Sequence, residues 1–582
     1  MAAPNGRSPH FPMTASPMKV RPSHDRESSL SVGLVALNAK FVHLALAPRC
    51  LRNAARAAGF ENTWIAEYTV RTPTWKMAAE LLARKPEVLG FSVYIWNREE
   101  TFTLLELLRK QAPEVLLVVG GPEVSFESGP PSPYVDFVIG GEGEEKWIEL
   151  LHLHGLGISP DEAAVARWRL HGNSAPPLEA LPYLPEDMEG LAHKMVYLET
   201  SRGCPFTCAF CLSALDDRVR VYPLDTVKDT IVRLLAAGAR RIKFLDRTFN
   251  LRRERVHDLL GWLMENEDVN AAPDATFHFE MVGDLLDDQT LALLDRAPPG
   301  QFQFEIGVQS THAETQARIA RRQRNDRLAT AVRRLIAAGR VHLHLDLIWG
   351  LPGESLPDIR ASFEEVLALR PHELQLGFLK FLPGAPIRDQ IEAHGYLYQD
   401  RPPYEVIAHQ ALPAREVLFL KEFEEVFDAF YNSGRFRFTL TRLFQVMAPW
   451  EVFSALAGHY ARQGLLVPAH GLESRARHLL ECAAGWLPEA ELKDLLKLDY
   501  FFHHKAHRVP DFLRNGSAGE TEAVRTRRKA DPSVAVAPFH HCITLTEGGA
   551  LLEPSPNPLW YAFTYSGHSQ GYFFRPTLER LP

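Results

Sequence analysis

Residues 195–211 read MVYLETSRGCPFTCAFC, an apolar strand followed at once by Cys204, Cys208 and Cys211. Thiolates at this spacing in one compact loop can each bind one iron of a four-iron cluster, which leaves the fourth iron open to a small molecule. A zinc ion would require four ligands, and no local fourth ligand is evident. The stretch therefore predicts an iron–sulfur centre at the end of a strand.

Alternating strands and helices continue from this loop. The pattern predicts an α/β fold with a partial (β/α)6 TIM-type barrel over residues 196–395, whose active residues lie at the carboxyl ends of the strands. Polar side chains from successive strand units should therefore converge on one mouth with the cysteine loop. They are Asp246, Asn250, Glu280, Glu305, Gln309 and Asp346.

Residues 31–155 show short apolar runs alternating with helical periodicity. This predicts a doubly wound, Rossmann-like domain with five parallel strands, whose ligand lies beyond the carboxyl ends of the strands. Paired glycines there allow backbone to approach a bulky ligand. No G-x-G-x-x-G motif follows the first strand, so a nicotinamide dinucleotide fits poorly. The candidate ligand residues are Ser92, Tyr94, Trp96, Asn97, Gly120, Gly121, Pro122, Gly140, Gly141, Glu142 and Gly143.

The remaining segments are less informative. Residues 1–30 are rich in Pro, Ser and Arg, which predicts a disordered tail, with an organelle transit peptide as the alternative. Residues 156–195 form a predicted linker, and residues 396–582 a mostly helical domain of unknown role with a polar linker at 514–536. Histidines at 503, 507, 540 and 541 raise a second metal site as an alternative to structural histidines.

Bulk composition sets limits on the class of protein. The 582 residues carry a net charge of −8, which argues against a nucleic-acid ligand. No apolar run is long enough to predict a membrane span. Only six cysteines occur, and three of them belong to the motif, which favours a reducing cytoplasm over a disulfide scaffold.

Several motifs together resemble those of the cobalamin-dependent radical S-adenosylmethionine (SAM) enzymes. The similarity covers roughly residues 31–390 and rests on CPFTCAFC, FLDRTFN, FEIGVQS, DLIWGLPGES, VVGGPEVSFE and VIGGEGEE. The resemblance implies that Cys204, Cys208 and Cys211 hold a 4Fe–4S cluster and that SAM binds its open iron. It also implies that cobalamin occupies the crevice of the first domain.

The resemblance further implies roles for single residues. Phe210 falls on a position near the adenine of SAM. By similarity to radical enzymes of the oxygen-independent coproporphyrinogen oxidase type, Glu280, Gln309, Arg321 and Asp346 fall on positions that hold the methionine and ribose portions. For Arg321, a solvated basic helix end is the alternative.

The cobalt ligand is less defined by the sequence. His43 lacks the D-x-H-x-x-G context of histidine-ligated cobalamin, so Tyr94, Trp96 or water faces the lower side of the cobalt instead.

The predicted activity is methylation of an unactivated carbon in a small-molecule or peptide substrate through a 5′-deoxyadenosyl radical. The alternatives are a radical rearrangement or cyclisation without methyl transfer, and a non-catalytic cobalamin or redox sensor. A tRNA methylthiotransferase fits less well, because the first domain lacks the extra cluster cysteines. The family implies an external electron donor such as flavodoxin or ferredoxin.

Overall fold

The structure is a computed structural model that describes most of the chain. The described residues are 28–126, 131–155, 169–171, 178–179, 182–466, 470–504, 508–515, 519, 521–531, 534–546, 549–565 and 576–581. The predicted tail falls mainly on residues 1–27 and lies outside this set. Within the described part of the chain, no helix has the length and apolarity needed to cross a membrane.

The first domain is a parallel sheet with helices on both faces. Its strand order is β2-β1-β3-β4-β5-β6, so one strand more than predicted is present. The strands are Val32–Asn38 (β1), Thr63–Thr69 (β2), Val88–Ser92 (β3), Leu116–Gly120 (β4), Phe137–Gly140 (β5) and Arg169–His171 (β6). The helices are Ala47–Ala57 (α1), Thr74–Ala83 (α2), Arg98–Gln111 (α3) and Glu144–Gly155 (α4).

Strand β1 explains why this sheet is covered on both sides. Alternate side chains of a strand point to opposite faces. Val35 and Leu37 accordingly pack in one core, and Val32 and Leu34 pack in the other. The reversal of strand order lies between β1 and β3, which is where a doubly wound sheet binds its ligand.

The second domain is an open parallel barrel with the strand order β14-β13-β12-β11-β10-β7. A short antiparallel pair, Ser201–Arg202 (β8) and Arg220–Val221 (β9), frames the cysteine loop. The barrel strands are Met195–Leu198 (β7), Arg241–Phe244 (β10), Thr276–Met281 (β11), Phe302–Gln309 (β12), His342–Trp349 (β13) and Glu373–Phe378 (β14). The helices are Leu224–Ala236 (α5), Arg253–Glu265 (α6), Glu267–Asn270 (α7), Asp288–Leu294 (α8), Ala313–Arg318 (α9), Asn325–Ala338 (α10) and Leu356–Leu367 (α11).

Strand β7 is the edge strand of the barrel sheet, and the first domain covers that edge. The Met195 N–H donates to the Val42 carbonyl at 2.7 Å, and His43 forms a parallel bridge with Met195. The His43 Nδ1 atom also lies 2.7 Å from the Tyr197 hydroxyl. This contact joins the carboxyl-end loop of β1 to the barrel and brings the two domains together.

The C-terminal region is mostly helical, as predicted, but it ends in a three-stranded antiparallel sheet. Helix α18 lies inside the stretch predicted as a polar linker. The helices are Ile391–His394 (α12), Ala414–Phe427 (α13), Arg437–Leu443 (α14), Pro449–Gln463 (α15), Leu472–Cys482 (α16), Glu489–His503 (α17) and Glu522–Ala530 (α18). The strands are Leu397–Tyr398 (β15), Val406–Ala408 (β16), Ala535–Thr546 (β17), Gly549–Thr564 (β18) and Thr577–Arg580 (β19).

Candidate functional site

The cysteine loop leaves the carboxyl end of β7 and lies over the barrel. Cys204 and Cys208 are buried, Cys211 is half-buried, and all three are free thiols. Gly203 adopts φ +89°, and a Cβ atom there would lie 2.3 Å from the Arg218 carbonyl oxygen. A glycine is therefore required at the turn that delivers the first cysteine.

The spacing of the three sulfur atoms distinguishes a cluster from a single zinc ion. In the described part of the chain, one group of His, Cys, Asp or Glu side chains has three ligand atoms within 4.8 Å of one another, and it does not include these cysteines. The three cysteine sulfur atoms are therefore more widely spread than that. A tetrahedral zinc with bonds of about 2.3 Å would hold its sulfur ligands within about 4 Å of one another. Three soft thiolates at the wider spacing fit separate irons of a cluster.

Arg321 lies beside this loop rather than on a solvated helix end. Its Nη1 atom is 3.7 Å from Cys208 Sγ, and its Nη2 donates to the Gly307 carbonyl oxygen. The neighbouring Arg322 and Arg324 are exposed, whereas Arg321 is half-buried. The guanidinium is therefore available to a carboxylate bound near the cluster.

Gln309, at the carboxyl end of β12, has two features typical of a ligand-binding residue. It adopts φ +69°, an uncommon conformation for a residue other than glycine. Its Oε1 atom is buried and has no hydrogen-bond partner among the described residues. The side chain folds over Gly307, where a Cβ atom would lie 2.2 Å from Gln309 Nε2. A buried, unpaired amide oxygen at this position fits a donor such as a ribose hydroxyl.

Two carboxylates of the predicted SAM set lie on neighbouring parts of the barrel. Burial raises the pKa of Glu280 to about 7, although the charge of Arg247 opposes that shift. Burial also raises the pKa of Asp346, against the hydrogen bond and charge of His344, whose Nε2 is 3.2 Å from Asp346 Oδ1. Phe210 is half-buried and packs against the main core. Both carboxyl groups thus lie in a poorly hydrated interior that favours pairing with a bound cation.

The raised pKa of Glu280 predicts pH-dependent binding of SAM. Below its pKa of about 7 the free protein holds Glu280 protonated, and a protonated carboxyl no longer attracts a cationic ligand. SAM affinity should rise by up to roughly tenfold between about pH 6 and about pH 8. The measurement is anaerobic equilibrium binding to the cluster-loaded protein. In Glu280→Gln the rise in SAM affinity with pH should be smaller, because only the titration of the amino group of SAM then contributes to it.

The control variant is Glu314→Gln, whose carboxylate is 72% exposed. It should keep the wild-type pH profile. A profile that is the same in wild type and Glu280→Gln would show that Glu280 does not face SAM.

Glu305 does not join this pair. It accepts hydrogen bonds from Lys243 Nζ and His278 Nε2, each at 2.9 Å. Burial opposes ionisation, but the His278 hydrogen bond and the Lys243 charge outweigh it and lower the pKa of Glu305. Because Lys243 neutralises it and His278 hydrogen-bonds to it, Glu305 serves as part of the polar filling of the barrel.

Asp246 and Asn250 are engaged by neighbouring groups of the barrel loops. Asp246 accepts hydrogen bonds from Thr200 Oγ1 and Ser201 Oγ, both at 2.6 Å. Asn250 exchanges two hydrogen bonds with the backbone of Val282, at 2.8 and 2.9 Å. Both side chains are used to hold the loops that follow β7 and β11.

In the first domain, Asn97 organises the loop after β3. Its Nδ2 donates to the carbonyl oxygens of Leu37 and Ser92 at 3.0 and 3.1 Å, and its Oδ1 accepts from the Tyr94 N–H at 2.8 Å. The rings of Tyr94 and Trp96 stack with centroids 4.4 Å apart. Asn97 thus fixes the loop, and the aromatic pair is left to form a wall.

The glycines after β4 and β5 allow close packing at the same rim. Gly121 has φ +109°, and a Cβ atom there would lie 2.5 Å from the Val93 carbonyl oxygen. Gly141 also has a positive φ of +75°. Ser92 Oγ is buried without a hydrogen-bond partner among the described residues, which fits a polar ligand in the crevice. Three more glycines and a proline of the predicted set lie on these strand ends: Gly120, Pro122, Gly140 and Gly143.

The close approach at Gly121 predicts a strong effect of a single methyl group. Gly121→Ala should destabilise the protein by about 2 kcal/mol, because alanine disfavours this φ, and should weaken cobalamin retention as the rim shifts. The control is Gly155→Ala, where an added Cβ has no neighbour within 4 Å among the described residues. Thermal unfolding measures the loss of stability, and the amount of bound cobalamin measures the loss of retention. Equal behaviour of the two variants would contradict this prediction.

Arg202 connects the cysteine loop of the barrel with the glycine-rich rim of the first domain, and it was not predicted as a site residue. Its side chain lies 2.8 Å from Glu199 and from Glu144, and 3.2 Å from Glu142. Its Nη2 is also 3.6 Å from Cys50 Sγ. Glu142 and Glu144 belong to the glycine-rich rim, whereas Arg202 lies two residues before the first cluster cysteine. The signal in the sequence that could have indicated Arg202 is its position directly before the cysteine motif.

Cys50 and Arg247 are two further residues that the sequence did not indicate. Burial raises the pKa of Tyr94 to about 12, with Cys50 and Glu199 adding to the rise and Arg247 opposing it. The Tyr94 hydroxyl thus lies within electrostatic reach of two barrel residues, Glu199 and Arg247. An isolated cysteine carries no motif, so only the fold brings Cys50 to this position.

Among the described residues, the histidines near residue 500 do not belong to any group of three potential metal ligands. His541 Nδ1 is 2.8 Å from Asp494 Oδ2. Asp494 is itself paired with Lys497 at 2.6 Å. His507 lies outside the described residues, and His503 ends α17.

The fold and site fit a cobalamin-binding domain next to a radical SAM domain, and comparison with known families finds both domain types in this chain. The B12 binding domain family matches residues 32–151, and the radical SAM superfamily matches residues 198–366. A domain family of unknown function, DUF4080, matches residues 392–534. The resemblance is confirmed, and so is the cofactor set of 4Fe–4S cluster, SAM and cobalamin.

Two curated relatives are similar to this chain. One is the cobalamin-dependent radical SAM methyltransferase TokK of Streptomyces tokunonensis, 27% identical over 379 residues, which cover 57% of this chain and 53% of TokK. Another is the 2-(S-pantetheinyl)-carbapenam-3-carboxylate methyltransferase of Streptantibioticus cattleyicolor, 27% identical over 352 residues, covering 53% and 49%. The chain therefore spans about half the length of these relatives.

Two solved structures show the same fold at low identity. TsrM from Kitasatospora setae, bound to tryptophan and a SAM analogue, has a TM-score of 0.54 and 19% identity, covering 65% of this chain and 80% of TsrM. OxsB with aqua-cobalamin bound has a TM-score of 0.52 and 16% identity, covering 80% of each chain. At these identities the similarity concerns the fold.

Proposed function

We propose that this protein is a cobalamin-dependent radical SAM methyltransferase that methylates an unactivated carbon of a small-molecule or peptide substrate. The observation that carries the proposal is the set of ion pairs that Arg202 makes with Glu142, Glu144 and Glu199, which we call the Arg202 junction. It holds the cluster loop against the glycine-rich rim of the first domain. Methyl transfer is favoured over rearrangement, cyclisation and sensing because the two relatives above are named methyltransferases.

The bound cofactors would supply the radical and the methyl group, and the chain would hold and orient them. Cys204, Cys208 and Cys211 would ligate the cluster. Arg321 would pair with the carboxylate of SAM, and Glu280 would accept from its amino group. Gln309 and Asp346 would bind the ribose, and Phe210 would lie near the adenine.

Cobalamin would occupy the crevice at the ends of β3, β4 and β5. Stacked Tyr94 and Trp96 form the wall that we assign to the lower face of cobalamin, and the unpaired Ser92 hydroxyl would bind a polar edge. The positive φ of Gly121 and Gly141 lets the backbone lie close to the ligand. The other predicted contacts are Asn97, Gly120, Pro122, Gly140, Glu142 and Gly143.

The setting of the reaction follows from the same residues. We infer a cytoplasmic location, because all six cysteines are free thiols. An external reductant such as flavodoxin or ferredoxin would supply electrons, and the net charge of −8 argues against nucleic acid as substrate. We assign the domains to residues 31–155, 196–395 and 396–582, with a tail at 1–30 and a linker at 156–195.

Deuterium labelling tests methyl transfer directly. The anaerobic holoprotein, with reduced cobalamin, would be given SAM labelled with deuterium in its methyl group. Mass spectrometry should detect deuterated methylcobalamin. A rearrangement enzyme or a sensor would leave the cobalamin unmethylated, and that result would contradict the proposed function.

A further inference from the structure

The C-terminal domain contains a cluster of potential metal ligands far from the cysteine motif in sequence. His459 lies on α15, and His478 and Glu481 lie on α16. We propose that these three side chains bind a divalent metal ion, with zinc as the best fit, and that the ion ties the two helices together.

The distances between the ligand atoms suit one tetrahedral ion. His459 Nε2 is 3.4 Å from His478 Nδ1 and 3.8 Å from Glu481 Oε2. The third side of the triangle, from His478 Nδ1 to Glu481 Oε2, is 3.4 Å. Zinc bonds of about 2.0–2.2 Å to nitrogen and oxygen place tetrahedral ligands about 3.3–3.6 Å apart. The three atoms therefore need to move only slightly to share an ion.

The chemistry of the donor set also favours zinc. Two imidazoles and one carboxylate form a ligand set used for zinc, in which water fills the fourth position. A single hydrogen bond between the two imidazoles would explain one of the three close approaches, but it would not explain why the carboxylate approaches both rings. Among the described residues, no other His, Cys, Asp or Glu side chains form such a group of three.

The surroundings hold the two histidines while leaving the site open to solvent. Their side chains are 13% and 17% exposed, and that of Glu481 is 52% exposed. The ring of Tyr460 packs against His478, with centroids 5.6 Å apart. His470 packs nearby, but its Nε2 is 2.8 Å from the Leu465 carbonyl oxygen. His470 is thus engaged elsewhere and offers a matched control.

The test is metal content of the untagged, full-length protein with its iron–sulfur cluster loaded, so that the three cluster cysteines are not open to zinc. After equilibration with micromolar zinc and removal of unbound metal, elemental analysis should give one zinc per chain in wild type and in His470→Ala. His459→Ala and His478→Ala should contain none. Zinc-free wild type, or equal zinc in all four proteins, would overturn the proposal.

A second variant guards against loss of folding. Glu481→Gln alters a half-exposed side chain and should fold normally. We expect its zinc affinity to fall at least tenfold when it competes with a chelator for the metal. Zinc should also raise the thermal unfolding temperature of wild type but not of His459→Ala. An unchanged affinity in Glu481→Gln would remove Glu481 from the ligand set and contradict the three-ligand site.

Discussion

Changing Cys208 to Ala is expected to abolish reductive cleavage of SAM. Three thiolates are the minimum that holds a four-iron cluster with one open iron, and Cys208 also lies 3.7 Å from Arg321, which we assign to the carboxylate of SAM. The variant should hold little cluster iron, and its yield of 5′-deoxyadenosine should fall to background. Both are measured after anaerobic reconstitution, by iron and sulfide analysis and by chromatography.

The matched control is Cys542→Ala, which removes a thiol on β17 in the C-terminal sheet. It should retain the wild-type cluster content and SAM cleavage. If Cys208→Ala cleaved SAM at the wild-type rate, the assignment of the cluster to this loop would be wrong.

Changing Arg202 to Gln should have the second-largest effect, because it removes the cation that pairs with carboxylates of both domains. Glu144 and Glu199 would then lose their partner in a partly buried site, while Glu142 would keep its ion pair with Arg220. Removing one partner of such a network typically costs about 3 kcal/mol or more. We also expect SAM cleavage to slow by about 100-fold, because the displaced loop misaligns the reacting groups.

The control for this variant is Arg218→Ala on the outer side of the same loop, where the side chain is 55% exposed and pairs with Asp216 at 3.1 Å. A surface pair of this kind contributes less than about 1 kcal/mol. Denaturant unfolding and the rate of 5′-deoxyadenosine formation are the two measurements. Wild-type stability and rate in Arg202→Gln would exclude the junction as a functional contact.

Much of the fold was predictable because its signals are local. Helix α10 occupies Asn325–Ala338, where apolar residues recur with the helical periodicity that predicts alternating strands and helices in this domain. Strand β12 alternates buried and half-buried residues along FQFEIGVQ, which its sequence already shows. Strand β6 was missed because three residues carry no periodicity. The length of β18 is not evident from the sequence because prolines and polar residues interrupt it.

The parts of the candidate site that belong to a sequence motif were predictable, because the motif determines their chemistry. The parts that depend on where the fold directs a side chain were not. The cysteine spacing is contained within eight residues, so the sequence alone identifies it. Asp246 and Asn250 were predicted at the mouth, but the sequence does not show that neighbouring hydroxyl and backbone groups bind them. Arg202 and Cys50 are 152 positions apart, and only tertiary structure brings them into contact.

The most direct test of the central claim is a single anaerobic reaction of the full-length protein. The chain would be loaded with iron, sulfide and cobalamin, mixed with SAM and a strong reductant, and analysed for 5′-deoxyadenosine. We predict that 5′-deoxyadenosine forms and that its yield depends on the reductant. If the protein held its cluster and bound SAM but formed none, the assignment as a radical SAM enzyme would be contradicted.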